Sequence, residues 1–200
     1  MAWGAKQHVE KILDKYERTY GSKPKMYTSA MEENCNPELD TSELLEADEI
    51  VQYQSAIREL QWAVTLGCFD ILAATTTLSR FRIAPRTGQM DRINRVYGYL
   101  KKFSHGAIRF RTEIPQHEQR FKVDAYDWMQ TIYGKGKEDF PPNMPTPKGK
   151  PVRTTSHVDA NLLHCKLTGR SLTGILHFLN QTPSAWFSKR QATVETATYG

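Results

Sequence analysis

The chain has no run of 18 apolar residues anywhere in its 200. That excludes a membrane-spanning helix, which needs about 20. The opening residues M-A-W-G-A-K-Q-H carry no apolar core of the kind a secretory signal requires. The expected location is therefore intracellular, cytoplasmic or nuclear, with no membrane partner. Cysteine is scarce: Cys35, Cys68 and Cys165 are odd in number and far apart, with no C-x-x-C pair. This argues for a reducing compartment and against both a disulfide framework and structural zinc. His157, His164 and Cys165 lie close in sequence, but no second pair completes a tetrahedral site. They read as ordinary residues of a strand and a turn. No internal repeat is visible.

What is present is charge and a clear change of period along the chain. The net charge is +5. Val9, Ile12, Leu13 and Tyr16 recur at helical spacing and predict a helix over residues 6–19, stopped by Gly21 and Pro24. Ile50, Tyr53, Ile57, Leu60 and Val64 step by three and four, predicting a helix over 49–66. A second segment, about 70–81, is rich in Ala, Leu and Thr. A third, 89–103, carries Met90, Ile93, Val96, Tyr97 and Leu100. Three helices joined by short breaks suggest a helical bundle.

Two charged segments stand out. From Glu32 to Glu49 there are eight acidic residues and no basic one. Such a run reads as a solvated, mobile segment. Between Ser79 and Thr112 there are nine basic residues and one acidic. Arg92, Arg95 and Lys102 have spacings that can share one helix face. Basic residues so clustered either neutralise phosphates or form the solvated face of a basic protein. No base-reading pattern appears, so any nucleic-acid binding is expected to ignore sequence.

Ile108 and Phe110 alternate with Arg109 and Arg111, which predicts a strand over 107–113. Tyr126, Trp128 and Tyr133 read as core or interface anchors before stacking platforms. Residues 134–151 hold five prolines and three glycines and form a linker. Beyond it the period becomes two. Thr155, His157, Asp159 and Asn161 fall on one face of an extended chain, and Val158, Ala160 and Leu162 on the other. Ser171–Leu179 and Ser184–Ser188 are further apolar runs, separated by turns at 166–170 and 180–183. Three strands so joined make an antiparallel meander with a carboxylate on its first strand.

These residues carry a resemblance. V-D-A-N on the first strand, K-L-T-G-R-S-L-T-G-I-L on the turn and second strand, W-F-S-K-R-Q on the third and T-V-E-T-A-T-Y-G after it resemble the start of the RNase H domain of copia-type LTR retrotransposon polyproteins. Y-Q-S-A-I-R-E-L-Q-W-A, F-D-I-L-A-A-T-T-T-L-S-R-F and R-V-Y-G-Y-L-K-K-F resemble the end of the reverse transcriptase of the same family, its thumb and connection. The usual Arg-Pro before the Asp is Cys68-Phe69 here. The resemblance covers most of residues 8–112 and 123–200.

The fold it implies is α+β. A thumb-like helical bundle over 1–113 is followed by an insertion and linker over 114–151. A partial RNase H-like three-stranded meander follows over 152–200. It implies Mg²⁺ as cofactor and Asp159 as catalytic residue and first metal ligand. It implies template–primer or RNA–DNA hybrid as partner, which tips the basic cluster with Arg80, Arg92, Arg95, Lys101 and Lys102 toward phosphate contact, while Lys189 and Arg190, just after the third strand, either touch phosphate or flank the strand in water. Two-metal hydrolysis needs several carboxylates around cations about 4 Å apart. The family's second carboxylate, a Glu, falls about two residues past Gly200, and Glu195 does not match its position. Glu195 reads instead as a helix-dipole residue after an N-cap at Thr193. The polymerase's paired-Asp motif is absent. The expected function is thus a fragment of a reverse transcriptase/RNase H polyprotein, catalytically incomplete by itself. Alternatives are a non-catalytic nucleic-acid-binding module and a protein-interaction scaffold. Trp186, Phe178 and Leu176 are expected to be poorly covered, leaving 151–200 marginal in isolation.

Overall fold

The computed structural model describes residues 2–115, 141–146, 148–162 and 164–194. The expectations for Tyr126, Trp128, Tyr133 and Glu195 lie outside these residues. The chain is α+β: among the described residues, four α-helices and a three-stranded antiparallel sheet dominate. No helix among them is long and apolar enough to cross a membrane.

Strand β1 (Ala2–Trp3) pairs antiparallel with β2 (Ile108–Arg109). The strand expected over 107–113 is therefore only two residues long and closes the helical unit at its edge. Helix α1 (Lys6–Tyr20) ends at Gly21, whose φ of 68° is the left-handed C-cap that glycine adopts without strain. It buries Val9 and Ile12. Helix α2 (Ala47–Thr65) is the centre of the bundle and buries Tyr53, Ile57, Leu60 and Val64. The phenol of Tyr53, fully buried, donates to Leu78 O at 2.8 Å, so its burial leaves no polar group unpaired.

The segment expected as one helix over 70–81 is divided. A 3₁₀ turn, Phe69–Ile71, leads into α3 (Leu72–Leu78), and a second 3₁₀ turn, Ser79–Phe81, follows. Its run of threonines, stiff at χ1, supports a long helix poorly. Helix α4 (Thr87–Lys102) starts where Gln89 Oε1 accepts the Arg86 N–H at 2.9 Å. Ile93, Val96, Tyr97 and Leu100 face the core. Near its C-terminal end, Gly98 lets a strap pass very close. A Cβ there would sit 1.8 Å from Lys25 O, and Tyr27 N–H donates to Gly98 O at 3.4 Å.

The acidic segment, expected to be mobile, is tied down. Asp40 pairs with Arg92, and Glu32 Oε1 lies 3.5 Å from an Arg95 nitrogen. Leu45 N–H donates to Pro85 O and Thr87 N–H to Glu43 O, both at 3.0 Å. Charge is part of the reason: two of the acidic residues, Glu32 and Asp40, meet arginines of the basic helix in their own chain.

The sheet comprises β3 (Thr154–Asn161), β4 (Leu172–Leu179) and β5 (Thr182–Arg190), in that order. The hairpin β4–β5 turns on Asn180–Gln181, with Asn180 at φ 54°. Pro183 sits inside β5, an edge strand where a missing N–H is tolerated. The register shifts between His177 and Phe178, which pair with Ala185 and Pro183 and leave Ser184 as a bulge.

The sheet does not stand alone. Trp186 Nε1 donates to Val64 O at 2.9 Å, and its ring lies 5.4 Å from that of Phe69. This corrects the expectation that Trp186 is left uncovered: the helical unit covers it. Thr182 Oγ1 accepts Arg111 N–H at 2.7 Å, and Asn180 Nδ2 donates to Thr112 O at 2.8 Å. At the β3–β4 turn, Lys166 N–H donates to Glu38 Oε1 at 2.7 Å and Arg80 donates to Cys165 Sγ at 3.0 Å.

Candidate nucleic-acid interface

Alternation on β3 puts Thr155, His157, Asp159 and Asn161 on one face. In register, Asp159 lies opposite Gly174, which lies opposite Ser188. His157 lies opposite Leu176, and Leu176 opposite Trp186. Trp186 packs on the helical unit, so the Asp159 face is the one turned toward the helices. Between them is a cleft of about 930 Å³. Phe69, Leu72, Leu176 and Trp186 form its apolar floor, and Glu32, Asp70, Asp159 and Lys166 bring charge to it.

Asp159 is exposed within this cleft. Its nearest register positions are a glycine and a serine, neither a carboxylate. Among the described residues no three His, Cys, Asp or Glu side chains come together as a cation would need. Magnesium prefers hard oxygen ligands in near-octahedral order. The donor set among the described residues does not fit a two-cation centre.

The structure divides the expected phosphate-binding residues. Arg80, on the 3₁₀ turn before α4, reaches the β3–β4 turn and bonds Cys165. Arg92 donates to Asp40 and to Gly88 O, and Ser42 donates to the same Asp40 carboxylate. Burial works against the Asp40 anion, but these hydrogen bonds hold its carboxyl below the usual range. Arg95 donates to Ser29 O at 3.2 Å and stacks 4.4 Å from the Tyr27 ring centre. Lys101 Nζ donates to Pro24 O at 3.0 Å. These four cations are engaged inside the chain. Arg92 and Arg95 do share a helix face, but that face is the one under the acidic strap.

Lys102 is exposed and reaches over Phe103, 5.7 Å from the ring centre. Lys189 and Arg190 lie at the end of β5, on opposite faces by alternation. Lys189 is the more exposed of the two, and neither has an ion pair among the described residues.

Two further cations were part of the basic segment but not singled out as binding residues. Arg109 and Arg111 follow α4 and are exposed. Arg111 Nη1 has only a long contact, 3.4 Å, to Gln181 Oε1. Both line a groove of about 420 Å³ with Phe103, Ile108 and Pro183. Their alternation with Ile108 and Phe110 was the signal that could have found them.

No protein-family model, curated protein or solved structure matches this chain.

Proposed function

We propose that this chain is part of a copia-type reverse transcriptase/RNase H polyprotein, and that it holds nucleic acid rather than cutting it. The sequence resemblance, the α+β order and an antiparallel meander bearing Asp159 mid-strand support that ancestry. The observation that carries the non-cutting part is the environment of Asp159: glycine and serine stand beside it in register, not carboxylates. Holding needs only cations with free donors at the surface, and Lys102, Arg109, Lys189 and Arg190 have no ion pair among the described residues. The parental chemistry, RNA-directed DNA synthesis and Mg²⁺-dependent hybrid cleavage, belongs to the family and needs groups that Asp159 alone does not provide.

The test is a labelled RNA–DNA hybrid incubated with the purified chain and Mg²⁺ or Mn²⁺, beside a filter-binding titration over a range of salt. Binding that weakens steeply with salt, without cleavage, is expected. Cleavage abolished by Asp159→Asn would overturn the non-cutting assignment. Absence of any binding would overturn the nucleic-acid reading.

A second reading, a protein-interaction scaffold, is favoured by one observation. On the sheet face opposite Asp159 by alternation, Val158, Ile175 and Phe187 stand in one cross-strand row, with Val158 64% and Phe187 49% exposed. Such a row suits an apolar partner.

A further inference from the structure

The cations of this chain separate into two sets by what their donors already do. Arg80, Arg92, Arg95 and Lys101 spend theirs on Cys165, Asp40, Ser29 O and Pro24 O. Among the described residues Lys102, Arg109 and Arg111 make no such bond, apart from the long Arg111–Gln181 contact and the place of Lys102 over the Phe103 ring. This second set gathers at one place, where α4 ends, β2 begins and the β4–β5 hairpin arrives. The groove there has Arg109 and Arg111 on it, and an aromatic ring, Phe103, 45% exposed. Tyr99 backs that ring at 4.7 Å between centres, which fixes its plane. Among the described residues Asp70 is the one carboxylate lining the groove, and it accepts the Tyr99 hydroxyl at 2.8 Å. Phe69 and Asp70 also line the larger cleft, so they form the ridge between the two recesses.

A braced, half-exposed ring beside unengaged guanidinium groups is the combination that holds an unpaired nucleotide strand. The ring stacks a base whatever its identity, and the cations track the phosphates. A duplex offers phosphates but keeps its base faces covered. We propose that this groove binds single-stranded nucleic acid, with a base stacked on Phe103 and the flanking phosphates on Arg109, Arg111 and Lys102. The inference rests on the nucleic-acid reading above and gives it a place and a strand state.

The experiment uses fluorescence anisotropy on the full chain with three probes: a labelled oligothymidylate, an abasic oligomer of equal length, and an RNA–DNA hybrid. Phe103→Ala is expected to weaken oligothymidylate binding roughly tenfold and leave the abasic oligomer unaffected. Phe103→Tyr keeps a ring and should bind as the parent does. Arg109→Gln should weaken both single strands and lower the slope of log affinity against log salt by about one. Circular dichroism and the thermal midpoint establish that each variant is folded. If folded Phe103→Ala and Arg109→Gln bind all three probes as the parent does, the groove assignment is overturned while the nucleic-acid reading stands. If the parent binds none of the probes, both fall.

Discussion

Arg80 donates to the Cys165 sulphur at 3.0 Å, joining a 3₁₀ turn of the helical unit to the β3–β4 turn 85 residues later. Cys165 is 1% exposed. Burial alone would raise its pKa, but hydrogen bonds from the Thr168 side chain and backbone and from Arg80 bring it from an ordinary 9.0 down to about 7. A buried thiol held this way is a charge partner rather than a nucleophile open to solvent.

The sign of the pH effect follows. An acid whose pKa is lowered by folding contributes stability that is full above its unfolded value and lost as pH falls through the folded one. Stability should therefore climb between about pH 7 and pH 9 by at most about 3 kcal/mol, and the thermal midpoint should rise with it. Neighbouring His164, its pKa lowered by burial, adds a trend of the same sign at lower pH. The Cys165→Ala chain should lose the upper part of the climb and keep the lower. A parallel pH profile for the two chains would refute the pairing.

Asp40 and Arg92 are expected to be the costliest charges to separate. The Asp40 side chain is nearly buried, takes hydrogen bonds from Ser42 and Arg92, and lies against Gly88. Asp40→Ala leaves a half-buried guanidinium with Gly88 O and the Cys35 thiol as partners but no carboxylate to balance its charge. The expected loss is about 2–4 kcal/mol by urea unfolding at neutral pH, against about 0–1 kcal/mol for removing the exposed Lys6–Glu10 pair. Equal losses would show that the acidic strap contributes nothing to the fold.

Gly98→Ala should be severe for a side chain of one carbon. The new Cβ would need the space of Lys25 O, and backbone cannot yield as a flexible side chain does. Either the strap at 24–27 lifts or α4 shifts. A drop of about 2 kcal/mol or more is expected, with Tyr27 losing its place under Arg95. A change within about 0.5 kcal/mol would place this contact among the adaptable ones.

Trp186→Ala should undock the sheet while leaving the bundle folded. The variant loses the hydrogen bond to Val64 O and the ring contact with Phe69. A cost of about 3–5 kcal/mol is the usual range for a large aromatic. Near-ultraviolet dichroism should change while the helical far-ultraviolet signal is kept. By the same logic residues 151–200 alone should unfold without cooperativity. A sharp transition from that fragment would contradict it.

The helices were legible because Tyr53, Ile57, Leu60 and Val64 repeat at a period that only one helix face satisfies. The strands were legible because polar and apolar residues alternate from Thr155 to Leu162. What escaped was long-range. Spacing places Arg92 and Arg95 on one face, but says nothing of whether Asp40 and Glu32, some 50–60 residues earlier in the chain, lie against it. Asn180-Gln181-Thr182-Pro183 read as a full break because proline lacks an N–H. On an edge strand with a bulge after it, Thr182 and Pro183 instead begin β5. The Asp159 face was identified, but not that Trp186 turns it toward the helices.

The docking of the sheet also sets an order of events during folding. Its hairpins pair residues close in sequence and form within about 1–10 μs. Trp186 must find Val64 across 122 residues, and closures of that span come later. In the interval the sheet has both faces bare: Trp186 and Leu176 on one, Val158 and Phe187 on the other. Refolding yield should therefore fall as protein concentration rises, because during that interval a second copy of the sheet competes with the helices for the same tryptophan.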